Sequence, residues 1–123
     1  MIVPDVEGQD PAFGAGPLYG RLTLDAIRAA SNSPLTGLNQ QTRVGLVGYS
    51  GGAIATAWAA ALAPSYAPDV NSRIVGVAEG GVLVDPAHNL RYVSGSVGWS
   101  AVIPLALIGI ARGYGISMKP YLS

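Results

Sequence analysis

Apolar and polar positions change period several times along the chain, and the changes divide it into alternating strands and helices. Residues 1–4 form a short apolar run that reads as a strand, and the glycine-punctuated stretch 5–17 that follows reads as a loop. Over residues 18–30 the pattern takes helical spacing, with Leu18, Leu22, Ala26 and Ala29 expected on the inward face. Residues 31–41 carry Ser, Asn, Pro and Gly and predict a loop; residues 44–47, Val-Gly-Leu-Val, predict a buried strand. Residues 52–63 are nearly all small, with Ile54, Trp58 and Leu62 at four-residue spacing, which predicts a helix that stops before Pro64. A third strand is expected over residues 73–78. The text then becomes less regular: a loop through Asp85, Pro86 and His88, and an apolar helical stretch from about 97 to 112. Strands alternating with helices of this length imply an α/β fold built on a parallel sheet.

One passage carries chemistry. Val44-Gly45-Leu46-Val47-Gly48-Tyr49-Ser50-Gly51-Gly52 places a serine between an apolar strand and a small-residue helix, and it fits G-x-S-x-G in the strand–turn–helix context that the motif requires. A serine in such a turn has its hydroxyl exposed, and side chains two residues to either side are expected to collide, which Gly48 and Gly52 avoid. The turn also aims the backbone N–H of Gly51 and the start of the helix at the place where a tetrahedral oxyanion forms. Ser50 is the candidate nucleophile and Gly51 the candidate oxyanion donor. The plain alternative is a tight glycine loop; the flanking strand and helix favour the catalytic reading.

Composition removes other functions. Seven basic and seven acidic residues balance, and the basic ones are scattered, so no electrostatic footprint for a nucleic acid exists. Without cysteine there is no thiol catalysis, disulfide or thiolate metal site. One histidine and dispersed carboxylates give no ligand cluster, and the glycines match neither G-x-G-x-x-G nor a phosphate-binding loop, so no cofactor is expected. Residues 1–5 lack the layout of a signal peptide. The longest apolar run, 101–111, is about half the roughly 20 residues that span a bilayer and contains Pro104, so no transmembrane segment is expected.

Several blocks together resemble a known family: Val3-Pro4-Asp5-Val6-Glu7-Gly8, Ala12-Phe13-Gly14-Ala15-Gly16, Leu24-Asp25-Ala26-Ile27-Arg28-Ala29, Gly48-Tyr49-Ser50-Gly51-Gly52-Ala53, Leu62-Ala63-Pro64-Ser65-Tyr66-Ala67-Pro68 and Val75-Gly76-Val77-Ala78-Glu79-Gly80-Gly81. From residue 1 to about residue 111 the sequence is similar to the secretory lipases, α/β-hydrolases that are exported and cleave triacylglycerols and other carboxylic esters under a helical cap. The resemblance implies one partial α/β-hydrolase domain over residues 1–123, with about 97–112 as the start of the cap, an extracellular location and a lipid or other ester as substrate.

The family's chains are some three times longer. They place the triad acid and histidine well downstream of the serine, and the first oxyanion donor upstream of residue 1. The α/β-hydrolase strand order also sets a preceding strand between those expected at residues 1–4 and 44–47, which leaves a gap here or forces repacking. His88 follows Ser50 in the chain, but in this fold the base follows a later strand, and Pro86 and Asn89 place His88 in an exposed loop. Asp69 and Asp85 sit beside prolines at turns and read as structural, while Asp5 and Glu7 lie past a strand's carboxyl end, where α/β sites form. Three readings follow: a lipase-like ester hydrolase with its acid and base outside this sequence, a non-catalytic α/β-hydrolase fragment or interaction module, and a fold relative that only binds an acyl chain.

Overall fold

The computed structural model describes residues 1–121, and these form two compact units. The first, Met1–Val6 with Gly16–Val82, holds helix α1 (Gly16–Asn32), strand β1 (Val44–Tyr49), helix α2 (Gly51–Tyr66), the short helix α3 (Pro68–Asn71) and strand β2 (Ile74–Gly80). The strands pair in parallel, from Val44 opposite Ile74 to Tyr49 opposite Gly80, with one irregularity between Val44 and Gly45. Parallel pairing needs a crossover, which α2 and α3 supply. The α/β architecture expected from the periodicity is the one observed.

Packing in this unit follows from small residues. Gly16 and Gly20 of α1 lie under Trp58 of α2; a Cβ on Gly20 would sit 2.6 Å from the Trp58 carbonyl carbon. Alanine, the best helix former, occupies much of α2, and Ala53, Ala55, Ala59 and Ala63 are its buried positions together with Thr56. Leu24 and Ile27 of α1 therefore reach Leu46, Ala59, Ala63, Ala67 and Val70 in one core, with Val44, Leu62 and Ile74 packed at its margin. The inward face of α1 is thus not the one expected. Gly16, Tyr19, Gly20, Thr23, Leu24, Ile27 and Ser31 are buried, and Ala29 is exposed. The close glycine contact with α2, which a search for large apolar residues overlooks, fixes that rotation.

Polar contacts fasten the far end of the helices. Arg28 donates from Nη2 to Asp69 Oδ1 at 2.6 Å, and Tyr66 donates its hydroxyl to Asp25 at 2.8 Å. The hydrogen bond from Arg28 holds the Asp69 carboxyl below its ordinary range. Arg73 is buried; its Nη1 donates to Ser31 Oγ and to the carbonyls of Asn39 and Thr42, tying the 33–43 loop down. Helix α2 runs past Pro64 instead of stopping before it. Proline removes one N–H near the end of the helix, and the chain continues until Ala67 N–H bonds Ala63 O at 3.0 Å, where Pro68 opens α3.

Residues 1–4 form no strand, since the only ladder among the described residues joins β1 and β2. An extended run becomes a strand only where another backbone offers its N–H and C=O groups, and none does so here. Between residues 1–4 and β1 lies an apolar groove of about 500 Å³, floored by α1 and α2 residues that include Ile27 and Ala55. Among the described residues β1 thus pairs on one side only, and its other edge lies beside this groove, where the α/β-hydrolase strand order implies a further strand.

The second unit joins Glu7–Ala15 to residues 83–121 and contains α4 (Pro86–Val93), α5 (Val102–Gly113) and a 3-10 turn at Lys119–Tyr121. Helix α4 replaces the loop expected at 85–88: Asp85 caps it by accepting the His88 N–H at 2.9 Å, and Pro86 opens its first turn. Helix α5 begins at residue 102, within the expected 97–112 stretch. Its small face seats the 7–15 segment, because a Cβ on Gly109 would strike the Phe13 backbone, and Arg112 Nη1 donates to Pro11 O at 3.0 Å. No helix of the described residues is long and apolar enough to cross a membrane.

Candidate active site

β1 ends at Tyr49 and α2 starts at Gly51, so a single residue makes the turn between them. That residue is Ser50, at φ 53° and ψ −114°, and it is the only non-glycine with positive φ among the described residues. Such a backbone costs about 1–3 kcal/mol and persists only where the surroundings over-determine it. Two sets of contacts do so. Ser50 N–H donates to Gly80 O of β2 at 2.9 Å, and Ser50 O accepts from Ala53 N–H at 2.9 Å and Ile54 N–H at 3.2 Å. The residue is exposed, and its side chain makes no capping bond to the helix it precedes. Its hydroxyl is left for an external group.

The flanking glycines behave differently from the expectation that both relieve a collision. A Cβ on Gly48 would run into the Gly52 carbonyl and come within 2.7 Å of Thr56 Oγ1; a Cβ on Gly52 would meet nothing within 4 Å. The crowding is thus between position 48 and the backbone at 52, in one direction only. Gly80 answers a third contact, since a Cβ there would lie 2.7 Å from the Tyr49 ring. Gly51 opens α2, where the first amides of a helix have no intrahelical acceptor and point out of its positive end. The geometry brings the Ser50 hydroxyl and the Gly51 amide to one corner.

The other candidates lie elsewhere. Asp69 is engaged by Arg28 at the opposite end of α2 from Ser50. Asp85 is occupied with its cap in the second unit, where His88 is exposed and pairs with no carboxylate among the described residues. Asp5 belongs to the first unit and Glu7 to the second. No three His, Asp or Glu side chains converge among the described residues, so nothing there resembles a metal site.

Two polar residues beside the turn escaped the sequence reading. Thr56 Oγ1 donates to Glu79 Oε1 at 2.9 Å, and Glu79 stands opposite Gly48 in the ladder. The available signal was that each interrupts an otherwise apolar element, Thr56 in an alanine helix and Glu79 in a Val-Gly-Val-Ala strand.

Known proteins resemble this chain over nearly its whole length. The model of the secretory lipase family matches residues 1–122. Lipase 2 of Candida albicans is 42% identical over 115 residues, which is 93% of this chain and 24% of that one. The secreted triacylglycerol lipase LIP7 of Malassezia globosa is 50% identical over 98 residues, 80% of this chain and 20% of that one. Among solved structures, Candida antarctica lipase A in its closed state superposes with a TM-score of 0.74 at 37% identity, covering 96% of this chain and 26% of the lipase. The chain spans about a quarter of the length of the curated relatives it matches.

Proposed function

The chain belongs to the secretory lipase family, and from that premise we propose that it carries the nucleophile of an extracellular serine hydrolase acting on triacylglycerols and other carboxylic esters. The observation that supports this most is Ser50, held at positive φ on an exposed strand-to-helix corner with its hydroxyl unspent. Strain at a solvent-facing serine serves no packing purpose in the core, and a nucleophile needs that placement.

In the reaction Ser50 Oγ attacks the ester carbonyl as a base takes its proton. The tetrahedral oxygen accepts the Gly51 N–H, the alcohol leaves with the proton returned by the same base, and an acyl-enzyme forms on Ser50. Water then attacks the acyl carbon by the reverse proton traffic and releases the acid. The base, the acid that orients it and the second oxyanion donor come from polypeptide beyond these 123 residues. Residues 97–112 form the start of the cap, and α5, which begins within them, exposes Leu105 and Leu107, apolar surface that suits a segment handling lipid esters. No cofactor takes part.

A chimera tests the proposal. Residues 1–121 replace the matching quarter of Candida antarctica lipase A, and hydrolysis of a p-nitrophenyl ester is followed. The folded chimera should turn over, and Ser50→Ala should lower the rate by at least roughly a thousandfold. Turnover that survives Ser50→Ala, or a folded chimera with no turnover, refutes the assignment.

A further inference from the structure

We propose that Glu79 is a positioning residue for the Ser50 turn, acting through the hydroxyl of Thr56. The inference rests on the reading of Ser50 as nucleophile only for its functional meaning; the geometric claim stands apart from it.

Three acceptors surround the single Thr56 hydroxyl proton: Gly52 O at 3.1 Å, Ala53 O at 3.2 Å and Glu79 Oε1 at 2.9 Å. The carboxylate is the nearest, and a bond to an ionised acceptor is roughly twice as strong as one to a neutral carbonyl. The proton therefore points to Glu79. A proton given to Glu79 is not given to the i−4 carbonyl of Gly52, and it is that back-bond which distorts helices. The same oxygen packs against Gly48, where a Cβ would come within 2.7 Å of it. Thr56 thus fills the space directly behind the turn.

Glu79 has the matching position on β2. It stands opposite Gly48, and its neighbour Gly80 takes the Ser50 N–H on its carbonyl. Strand β2 grips the turn twice, by main chain at Ser50 and by side chain at Thr56 of α2, four residues beyond Gly52. A strained φ survives only under such redundancy. Glu79 itself is exposed and Thr56 is buried, so the carboxylate remains hydrated while the hydroxyl it orients is not. An exposed carboxylate in an otherwise apolar strand, spent on a buried hydroxyl behind the nucleophile, is economical only if the turn requires it.

Amide hydrogen exchange on the full 123-residue chain tests this, with Glu79→Leu and Thr56→Val each removing one partner and Glu79→Gln and Thr56→Ser each keeping a donor–acceptor pair. Exchange at Ser50, Ala53 and Ile54 should quicken by roughly tenfold in the first two variants, relative to core amides at Leu24 and Ile27 in the same molecule. The double variant should be no faster than either single one; Thr56→Ser should stay within about twofold of wild type, and Glu79→Gln, which keeps an acceptor without the charge, should fall between wild type and Glu79→Leu. Equal quickening at turn and core amides, or no change at the turn, overturns the proposal. So does a Glu79→Gln or Thr56→Ser chain with the turn as exposed as in Glu79→Leu, and these milder variants decide the matter if the harsher ones do not fold. Turn-specific exchange together with an ester hydrolysis that survives Ser50→Ala in the chimera would remove the nucleophile reading and leave the positioning contact in place.

Discussion

Gly48 and Gly52 flank Ser50 symmetrically in sequence and asymmetrically in space. At position 48 an added methyl meets the Gly52 carbonyl and the Thr56 hydroxyl; at position 52 it enters open space. Gly48→Ala should therefore cost roughly 1–3 kcal/mol through overpacking, whereas Gly52→Ala, in the first turn of α2, should be neutral or gain up to about 1 kcal/mol from helix propensity. Urea denaturation of the two variants reads both, and equal losses would show that the corner is more crowded at 52 than the geometry allows. The turn at Ser50 and Gly51 was legible from five consecutive letters because it is local, a strand, a turn and a helix start. The direction of the collision was not legible, since it depends on where one carbonyl points. Thr56 and Glu79, 23 residues apart, meet only once β2 pairs with β1.

Between elements, the contact of α1 with α2 shows how small residues decide a helix rotation. Gly16 and Gly20 both face Trp58, but with different parts of it: a Cβ on Gly16 meets the indole ring, 2.7 Å from Cε2, and a Cβ on Gly20 meets the Trp58 main chain. Gly16→Ala should thus be destabilising alone and largely rescued by Trp58→Ala, while Gly20→Ala should lose roughly 1–3 kcal/mol whether or not the indole is present. Thermal melts of the two double-mutant cycles separate these outcomes; rescue of Gly20→Ala by Trp58→Ala would show that side chain, not backbone, sets the spacing. Periodicity located α1, β1, α2 and β2 to within a few residues, because buried faces repeat at fixed spacing. It misplaced the inward face of α1 because glycine scores as nothing in an apolar count and yet marks the closest approach. It also ended α2 too early, since a proline in the last turn removes a bond that the helix end can spare.

For the whole molecule, the groove beside β1 and the engagement of Asp69 and Asp85 point the same way. Among the described residues β1 pairs only with β2, and its other edge lies next to an apolar groove of about 500 Å³, an edge of the kind that folded proteins cover or pair. The order of strands implied by the family resemblance foretold that opening; no periodicity within the chain could, because it concerns a neighbour and not a residue present. The surroundings of the three candidates support the proposal that the base lies outside these residues. Asp85 is spent on capping α4, Asp69 on Arg28, and His88 is exposed and pairs with no carboxylate among the described residues. An alcohol with an unperturbed hydroxyl reacts slowly with a fluorophosphonate, and labelling at a useful rate requires a base within hydrogen-bonding reach. The 123-residue chain, shown by circular dichroism to be folded, should therefore remain unlabelled, in contrast to the chimera, in which the same Ser50 has its partners. If the chain alone labels, and Ser50→Ala and His88→Ala each abolish the signal, then a base lies within these residues and the division of the triad proposed here is wrong.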